Sequence, residues 1–334
     1  MSRETQLWYW LLFRSELPTS RAKDLLDRWT EAGQTLSDVL RGLPRGAAQF
    51  GLKTEEARQL QPPNKLPDIN AIRWDESRYP QGLQRLPLKL RPALLFVEGP
   101  EALLERQVVT LPPAPIAEAE REAAREALSL LLGESLLPAA VQGSDQAALL
   151  LVEMSHAEGD VLLMARAGLD QIERSEAARR LLANERLLLV SPLPPGTPPN
   201  PKWAAVLREV EAAMADRCLL TTARPPVARF LSTHPEIPLL WLHTGVGKAQ
   251  VPDHAEHAKE PATLLTWLAG EAQPEQSLQA QPAPSLADAA RPLGEAPPDE
   301  PPPTPEETLQ ILQKGGDVPP ALRARLMGEA PDES

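Results

Sequence analysis

Short apolar runs alternate with longer helical stretches between residues 107 and 244, and this alternation constrains the fold more than any other sequence feature. The runs suit buried strands of roughly four to six residues, and the stretches between them suit helices of roughly 10–16 residues. Strands that are apolar on both faces are typical of a parallel sheet with helices on each side. The sequence therefore predicts an α/β protein with a Rossmann-like, doubly wound and mostly parallel sheet. The predicted strands are 107–111, 137–141, 160–165, 187–191, 218–223 and 239–244. The predicted helices between them include 116–132, 145–157, 173–184 and 201–215.

The sequence on either side of this pattern divides the chain into further parts. Helical spacing of apolar residues predicts a small helical module, of the SAM or helix-hairpin kind, over residues 1–62. Its second helix is predicted from Arg21 to Trp29, with Thr19 or Ser20 as the N-cap. A connecting segment follows at 63–106, and the Rossmann-like domain extends over 107–272. Ten of the 38 prolines fall within 273–305, a composition that cannot bury a core and predicts an acidic linker. A short helical tail is expected at 306–334.

The charge of the chain limits where it can bind nucleic acid. The net charge is −12, but residues 1–110 hold 16 basic and 14 acidic side chains, so the acidic excess lies in the rest of the chain. An acidic protein has no general electrostatic attraction to nucleic acid. Any binding of DNA needs a local basic patch, which we expect in or near the first third of the chain.

The cysteine count and the hydropathy pattern indicate the cellular compartment. The single cysteine, Cys218, excludes a disulfide framework within a monomer and a zinc site built on cysteines. Because Cys218 opens an apolar strand, its expected role is packing. No apolar run approaches the roughly 20 residues that a membrane span needs, and the run at 7–13 lacks a cleavage signal. We expect a cytoplasmic protein with no membrane segment.

A family resemblance appears in the sequence WDESRYPQGLQRLPLKLRPALLFVEGPEALL, which follows the helical module. Together with the module, this sequence resembles the DprA/Smf family of DNA-processing proteins, which carries a similar pattern just before a Rossmann-like domain. The matching residues are Asp75, Tyr79, Pro80, Leu83, Leu86, Pro87, Pro92, Leu95, Phe96 and Gly99.

The resemblance continues more faintly through the predicted sheet. The sequence GLD at 168–170 resembles the family's G-L-D-x-I segment, and PPGTPP at 194–199 resembles its P-P-G-x-x-P loop. Gly143 and Asp145 fall where the family has its R-G-x-D motif. In all, the likeness spans about residues 5–245.

The chain departs from the family at the motifs with which the family binds phosphate. After the first strand the family has Gly-Ser/Thr-Arg, whereas this chain has LPPA at 111–114, without an arginine and with prolines that have no N–H to donate. Gln142 replaces the arginine of R-G-x-D, and PA at 138–139 replaces the preceding Ser-Gly. The R-N-R box becomes LRE at 207–209, and a Gly- and Ser-rich segment becomes RPP at 224–226. This pattern is that of a diverged or degenerate member.

Two strand-to-helix turns contain candidate ligand-binding residues. Gly143 and Ser144 open a helix, where backbone N–H groups can bind an anion. Alternatively, Ser144 or Asp145 only caps that helix, and Asp145 would repel a phosphate. Gly168 allows a ligand to approach the backbone closely, or serves only its turn. Arg166, beside it, is either a phosphate ligand or a solvated surface charge.

A second group of candidates lies near the carboxyl edge of the predicted sheet. Lys202, Arg208 and Arg224 would form a basic patch, and Trp203 would offer a ring on which the bases of a single strand can stack. Acidic side chains on the same helix favour an ordinary charged surface as the alternative. The eight DNA- or ligand-binding candidates are thus Gly143, Ser144, Arg166, Gly168, Lys202, Trp203, Arg208 and Arg224.

The sequence contains no recognisable catalytic set, and no metal or cofactor is expected. His254 and His257 have the spacing of one helical turn, but no third ligand is placed and the H-E-x-x-H pattern is absent, so a polar loop is favoured. The sheet domain has no G-x-G-x-x-G and no Walker motif.

The resemblance implies a non-enzymatic protein. It would bind single-stranded DNA, as a homodimer through the Rossmann-like domain, and pass it to a RecA-type recombinase during DNA uptake or recombination. A second hypothesis is a family member without DNA binding that serves as a protein-binding scaffold. A third, nucleotide sensing, is weakened by the loss of the phosphate-binding glycine and arginine. Only about 30 residues follow the linker, so we do not expect the winged-helix module that ends many family members.

Overall fold

The structure, a computed structural model, describes residues 2–43, 46–114, 116, 118–131, 136–221, 228–242, 252–258 and 263–268. All of these residues belong to one unit, Met1–Ala272. The linker predicted at 273–305 and the tail predicted at 306–334 lie outside the described residues.

One sheet contains all the strands of the described part of the chain. In chain order they are β1 (Ala71–Arg73), β2 (Leu94–Glu98), β3 (Gln107–Leu111), β4 (Leu136–Val141), β5 (Val161–Met164), β6 (Leu187–Ser191), β7 (Arg217–Leu220), β8 (Leu239–Leu242) and β9 (Glu256–Ala258). Their order across the sheet is β1-β2-β6-β5-β4-β3-β7-β8-β9. The strands from β3 to β9 are parallel to their neighbours among themselves, whereas β1 and β6 both pair antiparallel with β2. The mostly parallel sheet predicted from the sequence is confirmed.

Helices cover both faces of this sheet. In chain order the described helices are α1 (Arg3–Phe13), α2 (Thr19–Glu31), α3 (Leu36–Gly42), α4 (Thr54–Gln59), α5 (Gln81–Gln84), α6 (Glu118–Leu130), α7 (Asp145–Ala157), α8 (Glu176–Ala183), α9 (Ala204–Ala213), α10 (Ala228–Thr233) and α11 (Thr263–Leu268). Helix α7 packs between α6 and α8, and α9 packs against α10. Because parallel crossovers are right-handed and the strand order reverses at β3, these two groups lie on opposite faces. The fold is therefore the doubly wound, Rossmann-like architecture that the sequence predicts.

The N-terminal helices share their core with one end of the sheet. Strands β1 and β2 lie within the predicted connecting segment and extend the sheet beyond β6. The ring of Tyr9 lies 6.1 Å from that of Phe96 on β2, and the ring of Trp8 lies 5.4 Å from that of Trp74, both edge-on. The aromatic residues of α1 are therefore core residues, as their helical spacing indicates.

Burial explains the apolar sequence of the central strands. Strands β4, β5 and β6 are buried along their whole length, which a parallel sheet covered on both faces requires. Cys218 in β7 is fully buried, and burial raises the pKa of its thiol to about 12, as expected for a packing residue. Within the described ranges, no helix is long and apolar enough to cross a membrane.

Candidate nucleic-acid interface

The strand order reverses at β3, which lies between β4 and β7. In open α/β sheets, the crevice at such a reversal, outside the carboxyl ends of the strands, is the usual ligand site. Here the connection that leaves β3 begins with residues 112–116, and we call these five residues the switch-point loop. Thr221 follows the end of β7 on the other side of the crevice.

The switch-point loop has no backbone N–H group left to bind a phosphate. Three of its five residues are proline, which has no N–H. The N–H of Ala114 donates to Oε1 of Gln146 at 3.2 Å, and the N–H of Ile116 donates to Oδ2 of Asp145 at 3.1 Å. Side chains at the start of α7 therefore take both donors that the loop retains.

Gln146 joins the two sides of the crevice. Its side chain is fully buried, with 0% exposure. Its Nε2 donates to the carbonyl oxygen of Ala114 at 2.9 Å and lies 3.3 Å from Oγ1 of Thr221. A buried amide that pairs with both loops satisfies polar groups that would otherwise be free for a ligand.

The predicted residues Gly143 and Ser144 lie in the turn that starts α7. Gly143 has a φ of +82°, and Oγ of Ser144 accepts from the N–H of Ala147 at 3.1 Å as the N-cap. Asp145 follows as the first residue of the helix, where the helix dipole favours a negative charge. The chain's own carboxylate thus occupies a position suited to a bound anion. Ligand binding by Gly143 and Ser144 stays a prediction.

Arg166 forms a bidentate ion pair with Glu211 of α9. Nε and one terminal nitrogen of the guanidinium donate to the two carboxylate oxygens at 2.6 Å each. Burial raises the pKa of Glu211, which is only 4% exposed, and Arg166 and Arg208 oppose that shift. Hydrogen bonding to Glu211 raises the pKa of Arg166. The structure therefore brings Arg166 and Arg208 together around a buried carboxylate that neutralises part of their charge.

Gly168 and Asp170 bind the loop that follows β6. The N–H of Gly168 donates to the carbonyl oxygen of Thr197 at 2.8 Å. A Cβ atom at Gly168 would lie 2.6 Å from the carbonyl oxygen of Pro194, so the close approach of the two loops requires glycine. The carboxylate of Asp170 accepts from the N–H of Gly196 at 2.8 and 3.0 Å, which lowers the pKa of Asp170. The two family-like loops are therefore joined.

Lys202 and Trp203 lie in an exposed turn, Pro201–Trp203, just before α9. Oδ1 of Asn200 accepts from the N–H of Lys202 at 2.9 Å and fixes this turn. Trp203 is 46% exposed and, together with Val152, is one of two exposed large hydrophobic residues in the part of the chain that the structure describes. An exposed indole beside a lysine suits base stacking combined with phosphate contact.

The remaining candidates contribute no described site. Arg224 lies outside the described residues. His257 belongs to β9 rather than to a helix, and its ring packs edge-on against Trp241 at 4.9 Å. The described ranges contain no group of three or more His, Cys, Asp or Glu side chains that could hold a metal ion.

Sequence reasoning missed the roles of two polar residues, Gln146 and Glu211. Both lie on helices beside apolar residues, and both are buried. A polar side chain on the buried face of a helix needs a partner, and this was the available signal. Gln146 bonds to Ala114 and Glu211 bonds to Arg166, and both partners are distant in sequence, so no local pattern identifies them.

Comparisons with known proteins support the fold. No protein-family model matches the chain, and no curated protein matches its sequence. The crystal structure of DNA processing protein A (DprA) from Streptococcus pneumoniae matches with a TM-score of 0.55 and 14% identity, over 78% of this chain and 97% of that chain. DNA processing protein A from Helicobacter pylori, whose structure addresses single-stranded DNA binding, matches with a TM-score of 0.46 and 13% identity, over 57% and 93%. The S. pneumoniae comparison shows that the chain has the DprA-like fold that its sequence resemblance predicts.

Proposed function

We propose that this chain binds single-stranded DNA, without catalysing a reaction on it, at the start of α9. The observation that supports this proposal is the exposed ring of Trp203 next to Lys202 on a DprA-like fold. A base stacks on an exposed indole, and neighbouring cations contact the phosphates. Arg208, half-buried in the first turns of α9, adds a second cation, whose charge Glu211 neutralises in part. We call Lys202, Trp203 and Arg208 the α9 entry.

The α9 entry is a better candidate than the switch-point loop. Both N–H donors of that loop are bound by Gln146 and Asp145, and the carboxylate of Asp145 would repel a phosphate. Arg166 is already paired with Glu211. Trp203 and Lys202, in contrast, have no hydrogen bond or ion pair through their side chains with any described residue.

The wider role in this proposal comes from the sequence resemblance. The chain would act in the cytoplasm as a homodimer formed through its Rossmann-like domain. It would hold single-stranded DNA for a RecA-type recombinase during DNA uptake or recombination.

Fluorescence anisotropy with a fluorescein-labelled oligothymidine, at low and at physiological salt, tests the proposal. We expect micromolar or tighter binding at low salt with a steep salt dependence. Trp203→Ala should weaken binding by about 1–3 kcal/mol, which is about five- to 150-fold. Lys202→Gln should reduce the slope of log K against log salt by about 1. Val152→Ala removes the other exposed large apolar side chain and should leave binding unchanged.

A protein-binding scaffold without DNA binding is the second candidate, and the filled crevice favours it. Asp145 and Gln146 occupy the place where a related protein would bind phosphate. The same titration separates the two functions, because absence of wild-type binding at micromolar protein and low salt contradicts the DNA proposal and leaves the scaffold. Nucleotide sensing would need the same occupied donors, and we expect no heat on titration with ATP or ADP.

A further inference from the structure

A hollow in the helical module lies between α1, α3 and the segment that follows α4. Its volume of ≈ 640 Å³ lies within the range of about 300–1,000 Å³ that is usual for ligand pockets. Its apolar wall is formed by Leu7, Leu40 and Leu60, and its charged residues are Arg3 and Arg41. The hollow therefore combines an apolar wall with cations.

A second, shallower hollow continues from the first. Its volume is ≈ 650 Å³, and its residues include Trp10, Leu66, Arg14 and Lys65. Gln61 lines both hollows, so the two adjoin at this residue. We call the combined surface the module groove.

The charged residues that line the module groove are all basic. Four cations line it, and the residues that line either hollow include no Asp or Glu. Arg41 pairs with Asp38 outside the groove, and Arg14 lies at 3.5 Å from the hydroxyl of Tyr9. Among the described residues, Arg3 and Lys65 have no side-chain hydrogen bond or ion pair. A strip of four cations of which only Arg41 has a carboxylate partner, on a chain of net charge −12, is a local feature that attracts an anionic partner.

We propose that the module groove docks an acidic peptide segment of a partner protein, with apolar side chains entering the hollows and carboxylates meeting the cations. Apolar anchors in a groove with charges at its edge are a common mode of peptide recognition. A nucleic acid fits less well, because the ring of Trp10 is 5% exposed and offers no face for stacking. The half-buried apolar residues Leu40 and Leu66 suit hydrocarbon side chains instead.

Peptide binding to the full chain tests this proposal. The probes are fluorescein-labelled peptides of about 15 residues with Leu or Trp at helical i, i+4 and i+7 spacing and Asp or Glu elsewhere. Matched probes carry Lys in place of every acidic residue. We expect acidic probes to bind at low salt and Lys probes not to bind. The double variant Arg14→Glu with Lys65→Glu should weaken binding at least about tenfold, and so should Arg3→Glu with Arg41→Glu.

A charge-matched control separates the groove from general charge. Arg58→Glu with Lys89→Glu reverses two exposed cations of the N-terminal part that do not line the groove, and it should leave binding nearly unchanged. Circular dichroism checks that each variant is folded. The proposal is overturned if no acidic probe binds below about 100 µM, or if the control weakens binding as much as the groove variants. Displacement of the peptide by oligothymidine would overturn it in favour of a nucleic-acid occupant. None of these variants alters the α9 entry, so failure here is distinguishable from failure of DNA binding.

Discussion

The two halves of the carboxyl edge of the sheet differ in how closely their loops follow the sequence of the resembled family. The loops after β5 and β6 keep the glycine and aspartate of the resembled family, and these residues join the two loops. The switch-point loop after β3 lacks the glycine and arginine of the family's pattern, and side chains at the start of α7 bind its two N–H groups. In one half two family-like loops bind each other, whereas in the other half side chains of α7 bind the backbone of the loop.

The difference teaches that two kinds of substitution act together at the switch point. Prolines remove three backbone donors, and Asp145 and Gln146 bind the two that remain. A buried backbone N–H without a partner is destabilising, so the side chains of Asp145 and Gln146 stabilise this loop. Restoring a glycine alone would therefore not restore a phosphate site, because Asp145 would still repel the phosphate.

The largest expected loss of stability comes from removing the side-chain amide of Gln146, which fills the crevice. Gln146→Leu keeps the size of the side chain but leaves the N–H and carbonyl groups of Ala114 without partners, in a buried position. We expect a loss of about 2–5 kcal/mol in the free energy of unfolding, measured by urea denaturation. Gln142→Leu, at a half-buried glutamine with a single hydrogen bond to the carbonyl oxygen of Glu173, should lose less than about 1 kcal/mol. Equal losses would mean that the filled crevice contributes no special stability.

The sequence predicts the central elements of this fold closely. The strand predicted at 107–111 and the helix predicted at 145–157 are found at those residues. Helix α2 is predicted from Arg21 with Thr19 or Ser20 as its cap, but it starts at Thr19 and Pro18 is the N-cap. The hydroxyl of Thr19 instead donates to the carbonyl oxygen of Leu12 on α1, a tertiary contact that no local pattern reveals.

The site is less predictable than the fold, because its contacts join residues that are far apart in sequence. The turns that hold Gly143 and Gly168 follow from the rule that ligands bind at the carboxyl ends of strands. Arg166 and Glu211 are separated by 45 positions, and their pairing depends on how α9 lies against the turn that follows β5. The sequence therefore indicates which turns could form a ligand site, but not which charged side chains are already ion-paired.

Substitution of Gly168 or Gly143 should cost less stability, and the reason for the cost differs between the two positions. Gly168→Ala should cost about 1–3 kcal/mol, because the new Cβ would meet the carbonyl oxygen of Pro194 at 2.6 Å. Gly143 has open space around it and a φ of +82°, so alanine there should cost about 1–2 kcal/mol through backbone strain alone. Asparagine tolerates this conformation, so Gly143→Asn should cost less than Gly143→Ala, whereas Gly168→Asn should cost more than Gly168→Ala. Thermal denaturation of the four variants checks the order, and the same order at both positions would contradict the steric explanation.

The smallest change in stability is expected on substitution of Asp170, whose exposed carboxylate joins the family-like loops. The N–H of Gly196 holds the pKa of Asp170 below its usual value in the folded protein. A carboxyl whose pKa is lowered by folding stabilises the protein above its unfolded pKa, and this contribution is lost as the pH falls through the folded pKa. Asp170→Asn should therefore lower the Tm slightly at neutral pH, and the gap to the wild type should close in acid. Because the carboxylate is exposed, added salt should narrow the gap at neutral pH as well. A Tm gap that is independent of pH and salt would show that geometry, rather than charge, carries the contact between these loops.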